Sequence, residues 1–252
     1  MKTLFGLFLI FSFQTFALSP SVGAFDKGWQ SVVLLKIPGY DDTGTVVDGY
    51  CVGTLLSPGL VVTAAHCLAG STLNSGGQLS LEIGEYQYRT RPDGSTYRTG
   101  YLTVLRHSST VTARFMPGVG FNSAPNRIPE DKDFTFITLN NPITLPGDFI
   151  FPTIWNQSLA GQTITTPTVV SINPIEYIST NDTKQMATLN QIRFLNYSAQ
   201  SNSTSKVAPG DSGSPLFGVI QGKTYLIGVT KGTLTSGFSK VDVFSIWGER
   251  GR

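Results

Sequence analysis

Ser212 stands in the stretch APGDSGSPLF, residues 208–217, among residues that favour sharp turns. Gly210, Gly213 and Pro215 predict a tight, irregular turn, and the apolar residues that follow are typical of a buried strand. This pattern has two interpretations. The segment is either a loop that leads into a strand, or a turn that holds the Ser212 hydroxyl as a nucleophile, which then needs a base to activate it.

The chain contains two histidines as candidates for that base. His107 lies in the polar segment LRHSS, and we expect it to be structural or solvated. His66 lies in VVTAAHC, where an apolar strand ends beside Cys67. Because an imidazole on a rigid strand end is well placed for proton transfer, His66 is the candidate general base.

A carboxylate that accepts a hydrogen bond from the second ring nitrogen would orient His66. The segment EDKDFTFITL offers Glu130, Asp131 and Asp133 for this task. Asp133 directly precedes the apolar residues 134–137, which are typical of a buried strand, and Asp131 lies one step further into the polar loop. The pattern therefore favours Asp133 over Asp131.

Three segments, TAAHC, DFTFITL and GDSGSPL, resemble in this order the motifs of the chymotrypsin/trypsin-like serine peptidases. The resemblance extends over roughly residues 29–248. It implies that Ser212 attacks a peptide carbonyl, that His66 removes the hydroxyl proton, and that Asp133 orients His66. It also implies an oxyanion hole formed by the backbone N–H groups of Gly210 and Ser212.

The same resemblance implies where substrates bind. Trypsin-like members have an Asp six residues before the nucleophile, where this chain has Lys206, so cleavage after Lys or Arg is disfavoured. Lys206 either points into the pocket and favours an acidic residue, or points to solvent and leaves a neutral slot. Thr230, Lys231 and Gly232 correspond to the wall along which a substrate strand pairs.

The activation segment departs from the family pattern. Animal members are usually cut before Ile-Val-Gly-Gly, and the new amine pairs with the Asp preceding the nucleophile, which is Asp211 here. This chain lacks that segment, and the α-amine of Phe25, freed by cleavage after Ala24, is a candidate partner. The missing segment and Lys206 leave an alternative, a catalytically silent relative that binds a protein or glycan surface.

A secretory signal is predicted over residues 1–24. Lys2 supplies the positive start, and residues 4–16 form an apolar stretch shorter than a membrane span. Small residues permit cleavage after Ala17 or Ala24, with Ala24 favoured, and an uncleaved anchor is the alternative. We therefore expect a secreted protein, extracellular or periplasmic, without membrane contact after cleavage.

Cys51 and Cys67 are the two cysteines of the chain. Export favours a disulfide between them, and their spacing resembles the family's disulfide around the histidine. Two cysteines and two histidines at this spacing are poor metal ligands, so we expect no metal and no cofactor. A net charge of +2 without a basic cluster argues against nucleic acid. The expected partner is a protein or peptide substrate, and the expected state is a monomer.

The composition predicts an all-β fold, because charged residues are 13% and short apolar segments alternate with turn residues. This pattern favours β-barrels or a sandwich. The resemblance implies two packed six-stranded antiparallel β-barrels, chymotrypsin-like, with a short C-terminal helix that we place over residues 241–249. We expect an N-terminal half over residues 25–141 and a C-terminal half over residues 142–252, together one peptidase domain.

Overall fold

The computed structural model describes residues 31–247, except for residues 41–42, 95, 146, 148, 160, 172–185, 189–191, 196–197, 202–209 and 237–238. Within these residues the chain forms two antiparallel sheets of seven strands each. The first sheet contains β1 (Val32–Tyr40), β2 (Val46–Ser57), β3 (Leu60–Thr63), β4 (Leu79–Thr90), β5 (Thr96–Ser109), β6 (Val111–Phe115) and β7 (Thr135–Leu139). A short helix, α1 (Ala65–Leu68), and the 3₁₀ turns Thr72–Ser75, Pro125–Arg127 and Glu130–Lys132 connect these strands.

The first sheet closes into a barrel. Its strand order is β5-β4-β1-β2-β3-β7-β6, and only Thr110 separates the two end strands, β5 and β6, along the chain. The carbonyl of Thr110 accepts a hydrogen bond from the backbone N–H of Asn140 at 3.0 Å, so the connection stays against β7. Strands β5 and β6 are therefore two parts of one bent strand, and the barrel has the six strands that were predicted.

The second sheet repeats this order. It contains β8 (Ile164–Val170), β9 (Met186–Thr188), β10 (Ile192–Leu195), β11 (Ser198–Ser201), β12 (Pro215–Ile220), β13 (Lys223–Ser236) and β14 (Ser239–Ile246). Its order is β10-β11-β14-β13-β12-β8-β9, and its end strands are again consecutive in the chain. When β5 with β6 and β9 with β10 are each counted once, both sheets have the same cyclic order of strands.

Each barrel has its own apolar core, and a third core lies between them. Leu35, Leu55 and Ile137 are fully buried in the first core. The second core includes Leu216 and Phe244. The core between the barrels draws on both sheets and contains Val32, Leu34, Val52, Val62, Phe134, Val170, Phe217, Leu226, Val229 and Trp247. Burial of apolar surface, at roughly 25 cal/mol per Å², therefore holds the two barrels together.

The predicted helix over residues 241–249 is wrong for its first part, because β14 continues to Ile246. The consecutive residues 243–246 are all buried. A strand paired on both edges, as β14 is with β11 and β13, can bury successive side chains on opposite faces. A surface helix would bury one side only. Residues 248–249 lie outside the described residues.

The predicted signal over residues 1–24 lies outside the described residues, and the predicted boundary between residues 141 and 142 stays a prediction. The connection after this boundary contacts both barrels, since Ile143 and Phe151 pack against the first core and Trp155 lies in the second. Among the described residues, no helix has the length and apolar character needed to span a membrane.

The predicted disulfide is confirmed. Cys51 in β2 is bonded to Cys67 in α1, and the two positions are 16 residues apart in the sequence. The bond ties the short helix that carries His66 to the strand beneath it. The disulfide therefore restricts movement of α1 relative to β2.

Replacing Cys51 and Cys67 together by Ala should lower the free energy of unfolding by about 3 kcal/mol, because a loop of this length is no longer closed in the unfolded chain. Urea unfolding of the secreted variant and of the wild-type protein, with and without reductant, measures the difference. Reduced wild-type protein should resemble the variant. Equal unfolding free energies for all samples would show that the bond does not stabilise the fold.

Candidate active site

The buried carboxylate of Asp133 holds His66 at two points. Oδ2 accepts a hydrogen bond from the ring Nδ1 at 2.8 Å, and Oδ1 accepts one from the backbone N–H of His66 at 2.8 Å. The side chain of Asp133 is 0% exposed and that of His66 is 20% exposed. When Nδ1 carries the proton of the neutral ring, Nε2 is left to accept another, as a general base must.

Strand pairing explains why Asp133, and not Asp131, reaches the histidine. Strand β7 is antiparallel to β3, with Thr135 opposite Thr63. Asp133 lies two residues before Thr135, and α1 begins two residues after Thr63. The antiparallel pairing therefore places Asp133 beside the start of α1, which contains His66. Asp131 lies two residues earlier, in a 3₁₀ turn, and is partly exposed.

The turn with Ser212 is fixed by backbone hydrogen bonds to both barrels. The carbonyl of Ser212 accepts a bond from the N–H of Val52 in β2 at 2.8 Å. The N–H of Gly213 donates to the carbonyl of Thr230 in β13 at 2.8 Å. Gly210 has a φ of +96°, a conformation that glycine adopts without the strain of a side chain. The turn thus lies where the two barrels meet.

Gly213 brings the Ser212 turn against the residues that precede His66. A Cβ added to Gly213 would lie 2.1 Å from Thr63 Oγ1, 2.1 Å from the Val52 carbonyl oxygen and 3.1 Å from the Ala64 nitrogen. Gly213 also has a φ of +83°, which disfavours any other residue. The absence of a side chain therefore lets the predicted nucleophile turn pack directly on the turn that carries the predicted base.

The predicted substrate wall lies beside Ser212. The hydroxyl of Ser212 donates a hydrogen bond to the carbonyl of Lys231 at 3.4 Å. Strand β13 has a register shift between Thr230 and Gly232 where it pairs with β14, so Lys231 occupies a bulge. Lys206, the residue predicted to influence the pocket, lies outside the described residues.

The Lys231 side chain reaches a group that sequence reasoning did not connect with it. Its ammonium donates a hydrogen bond to the carbonyl of Ile128 and lies 4.0 Å from Asp133 Oδ2. The sequence predicted Lys231 as part of the substrate wall and as a source of positive charge there. A contact between residues about a hundred positions apart leaves no mark in local sequence, so no signal could have revealed it.

Asp211 is held by a second residue that the sequence did not indicate. The hydroxyl of Ser171, just after β8, donates a hydrogen bond to Asp211 Oδ1 at 2.5 Å, and both residues are buried. This bond stabilises the carboxylate next to the predicted nucleophile. The other candidate partner, the amine of Phe25, lies outside the described residues.

His107, the second histidine of the chain, has a simpler environment. The ring Nε2 of His107 donates to the carbonyl of Asn141 at 2.7 Å, which fits its expected structural role. In the part of the chain that the structure describes, no three His, Cys, Asp or Glu side chains gather as a metal site would require.

Comparison with known proteins identifies relatives of this chain. A model of the trypsin family matches residues 29–244. The Spaetzle-processing enzyme of Drosophila melanogaster is 30% identical over 110 residues, which cover 39% of this chain and 27% of that enzyme. The chain therefore spans about a quarter of the length of this curated relative.

A solved structure titled as a Glu endopeptidase in complex with MPD has a similar fold. The TM-score is 0.53, the sequence identity is 15%, and the match covers 88% of this chain and 86% of the other. At this identity the likeness concerns the fold alone, and it supports the arrangement of two antiparallel barrels.

Replacing Gly213 by Ala should destabilise the protein far more than replacing Gly222 by Ala. Both glycines have positive φ, but a Cβ at Gly222 would meet nothing within 4 Å. We expect a loss of about 1–2 kcal/mol at Gly222 from backbone strain, and roughly 3 kcal/mol more at Gly213 from overlap with β2 and β3. Denaturant unfolding measures both, and equal losses would contradict the close packing of the turn.

Proposed function

We propose that this chain, which belongs to the trypsin family, is a secreted serine endopeptidase that cuts peptide bonds through Ser212, His66 and Asp133. The observation that carries the proposal is the two-point contact of the buried Asp133 carboxylate with His66. A buried carboxylate is costly unless it is paired, and this one is paired so as to leave the outer ring nitrogen available.

In the proposed reaction, Ser212 Oγ forms a bond to the carbonyl carbon of the substrate while His66 Nε2 takes the hydroxyl proton. The tetrahedral intermediate collapses when the C–N bond breaks and His66 gives its proton to the departing amine. A water molecule, deprotonated by His66, then attacks the acyl carbon. The bond from this carbon to Ser212 Oγ breaks, Oγ takes the proton back from His66, and the carboxylic acid product leaves. Asp133 keeps the ring orientation and stabilises the imidazolium at each stage.

The negative oxygen of the tetrahedral intermediate needs hydrogen-bond donors that are already in place. The backbone N–H groups of Gly210 and Ser212 are the proposed donors. The close packing of Gly213 against β2 and β3 supports this role, since it restricts the turn, and Gly210 adopts its positive φ without side-chain strain. Loss of one such donor typically costs on the order of 100- to 1,000-fold in turnover.

We further propose that the substrate strand pairs with the backbone of Thr230, Lys231 and Gly232. The contact between the Ser212 hydroxyl and the Lys231 carbonyl supports this placement, because it puts β13 beside the nucleophile. Lys206 makes cleavage after Lys or Arg unfavourable, and leaves a preference for acidic or apolar residues before the cut. Secretion agrees with the Cys51–Cys67 disulfide, which persists in oxidising compartments.

An organophosphonate probe should label the wild-type protein on Ser212, and Ser212→Ala should be neither labelled nor active. Asp133→Asn should lower kcat by about 10⁴-fold, because the amide favours the wrong tautomer of His66. The matched control is Asp131→Asn, which changes the neighbouring carboxylate and should retain activity within about twofold. Absence of both labelling and cleavage in folded protein with a processed N-terminus would favour the silent binding relative.

Digestion of a peptide library, with cut sites identified by mass spectrometry, tests the proposed specificity. We expect cuts after acidic or apolar residues that are absent from Ser212→Ala. Because Lys206 would face a cationic side chain, cuts after Lys and Arg should be rare. Dominant cleavage after Lys or Arg would refute the assigned influence of Lys206 and leave the catalytic mechanism intact.

A further inference from the structure

Lys231 holds its positive charge in a largely covered position at the junction of the barrels. Its side chain is only 16% exposed, although lysine is usually a solvated surface residue. Burying an ammonium group is costly unless it is paired and hydrogen-bonded. The groups that contact the Lys231 ammonium must therefore offset this cost.

Among the described residues, the hydrogen-bond and ion-pair partners of the Lys231 ammonium all lie in the segment 128–133, which precedes β7 in the first barrel. The ammonium donates a hydrogen bond to the Ile128 carbonyl, lies 3.7 Å from Glu130 Oε1, and lies 4.0 Å from Asp133 Oδ2. A second bond runs from the second barrel to the same segment, since Ser245 Oγ in β14 donates to the Glu130 carbonyl at 2.6 Å. Strands β13 and β14 thus both bind the 3₁₀ turn that precedes Asp133.

Lys231 also contacts the nucleophile turn through its backbone. Its carbonyl accepts the hydrogen bond from Ser212 Oγ at 3.4 Å. One residue therefore joins the two parts of the proposed triad that different barrels supply: its backbone lies beside Ser212, and its side chain lies beside the carboxylate that orients His66.

We propose that Lys231 is a positioning residue of this site. Its ammonium holds the segment 128–133 in register with the Ser212 turn, and its charge lies behind the Asp133–His66 pair. This inference rests on the proposed peptidase function and adds a residue to it. Because this charge lies next to the pair that must bind and release a proton, its removal should change the pH dependence of kcat.

The other charges around Asp133 determine the size of this effect. Glu130, on the same turn, partly offsets Lys231. The ammonium of Lys132 lies near Gly118, where a Cβ would be 3.8 Å from Nζ. The remaining described groups on the packed elements are Asp131 on the turn, His66 on α1, the neutral Ser245 on β14, and the exposed Arg114 and Arg127 on β6 and the preceding 3₁₀ turn.

The test compares pH profiles of kcat and KM for the wild type, Lys231→Met and Lys223→Met. Lys223 is an exposed lysine on the same strand and serves as the matched control. We expect Lys231→Met to lower kcat about tenfold with little change in KM, and to shift the acid limb of the pH profile of kcat. Lys223→Met should match the wild type in both measurements.

Glu130→Gln provides the opposite change and does not depend on the folding of Lys231→Met. It removes the negative charge that offsets Lys231, so the acid limb of the pH profile of kcat should move in the direction opposite to that found for Lys231→Met. Glu130 is 40% exposed, and its replacement should leave the fold intact. If Lys231→Met does not fold, Lys231→Gln, which keeps a hydrogen-bond donor for the Ile128 carbonyl without the charge, is measured in its place.

An acid limb of the kcat profile that is unchanged in every folded variant would overturn the inference, even if Lys231→Met were less stable. A purely structural role would not move this limb. The inference and the proposed function fail separately. A wild-type protein that neither cleaves peptides nor reacts with the phosphonate contradicts the peptidase function, whereas an active wild type with identical profiles contradicts only the role of Lys231.

Discussion

The site depends on one buried carboxylate. Asp133 is fully buried, and its charge is offset by His66, which donates to both of its oxygens, and by Lys231, which lies nearby. The same requirement that makes these contacts necessary for folding sets the orientation of the imidazole. Stability and the proposed chemistry thus share one interaction, and a change that relaxes it should affect both.

The two barrels bring this carboxylate close to the turn that contains Ser212. An apolar core lies between them, and the polar contacts of the site lie along the same junction. Gly213 allows the Ser212 turn to lie close to the residues that precede His66, since Thr63 and the carbonyl of Val52 occupy the space that a Cβ would need. Packing between the barrels therefore limits how far the predicted base and nucleophile can separate, and this rigidity is what a preorganised site requires.

Sequence reasoning proposed the residues of the candidate site because each stands beside a recognisable strand end or turn. The choice of Asp133 over Asp131 followed from the apolar strand that begins directly after it, and the register of β3 with β7 provides its physical basis. The C-terminal helix was predicted wrongly for a related reason. Local pattern cannot tell a helix from a strand that is covered on both faces, and pairing with β11 and β13 decided the outcome.

By itself, the sequence determined the all-β class, the disulfide, and the residue types at the proposed triad, since these depend on short segments of contiguous chain. Only the tertiary structure decided that Ser171 bonds to Asp211 and that Lys231 reaches the segment of Asp133. These contacts join residues far apart in the chain and belong to side chains of ordinary type. Their positions follow from how two closed barrels pack, and no local preference of the chain encodes that packing.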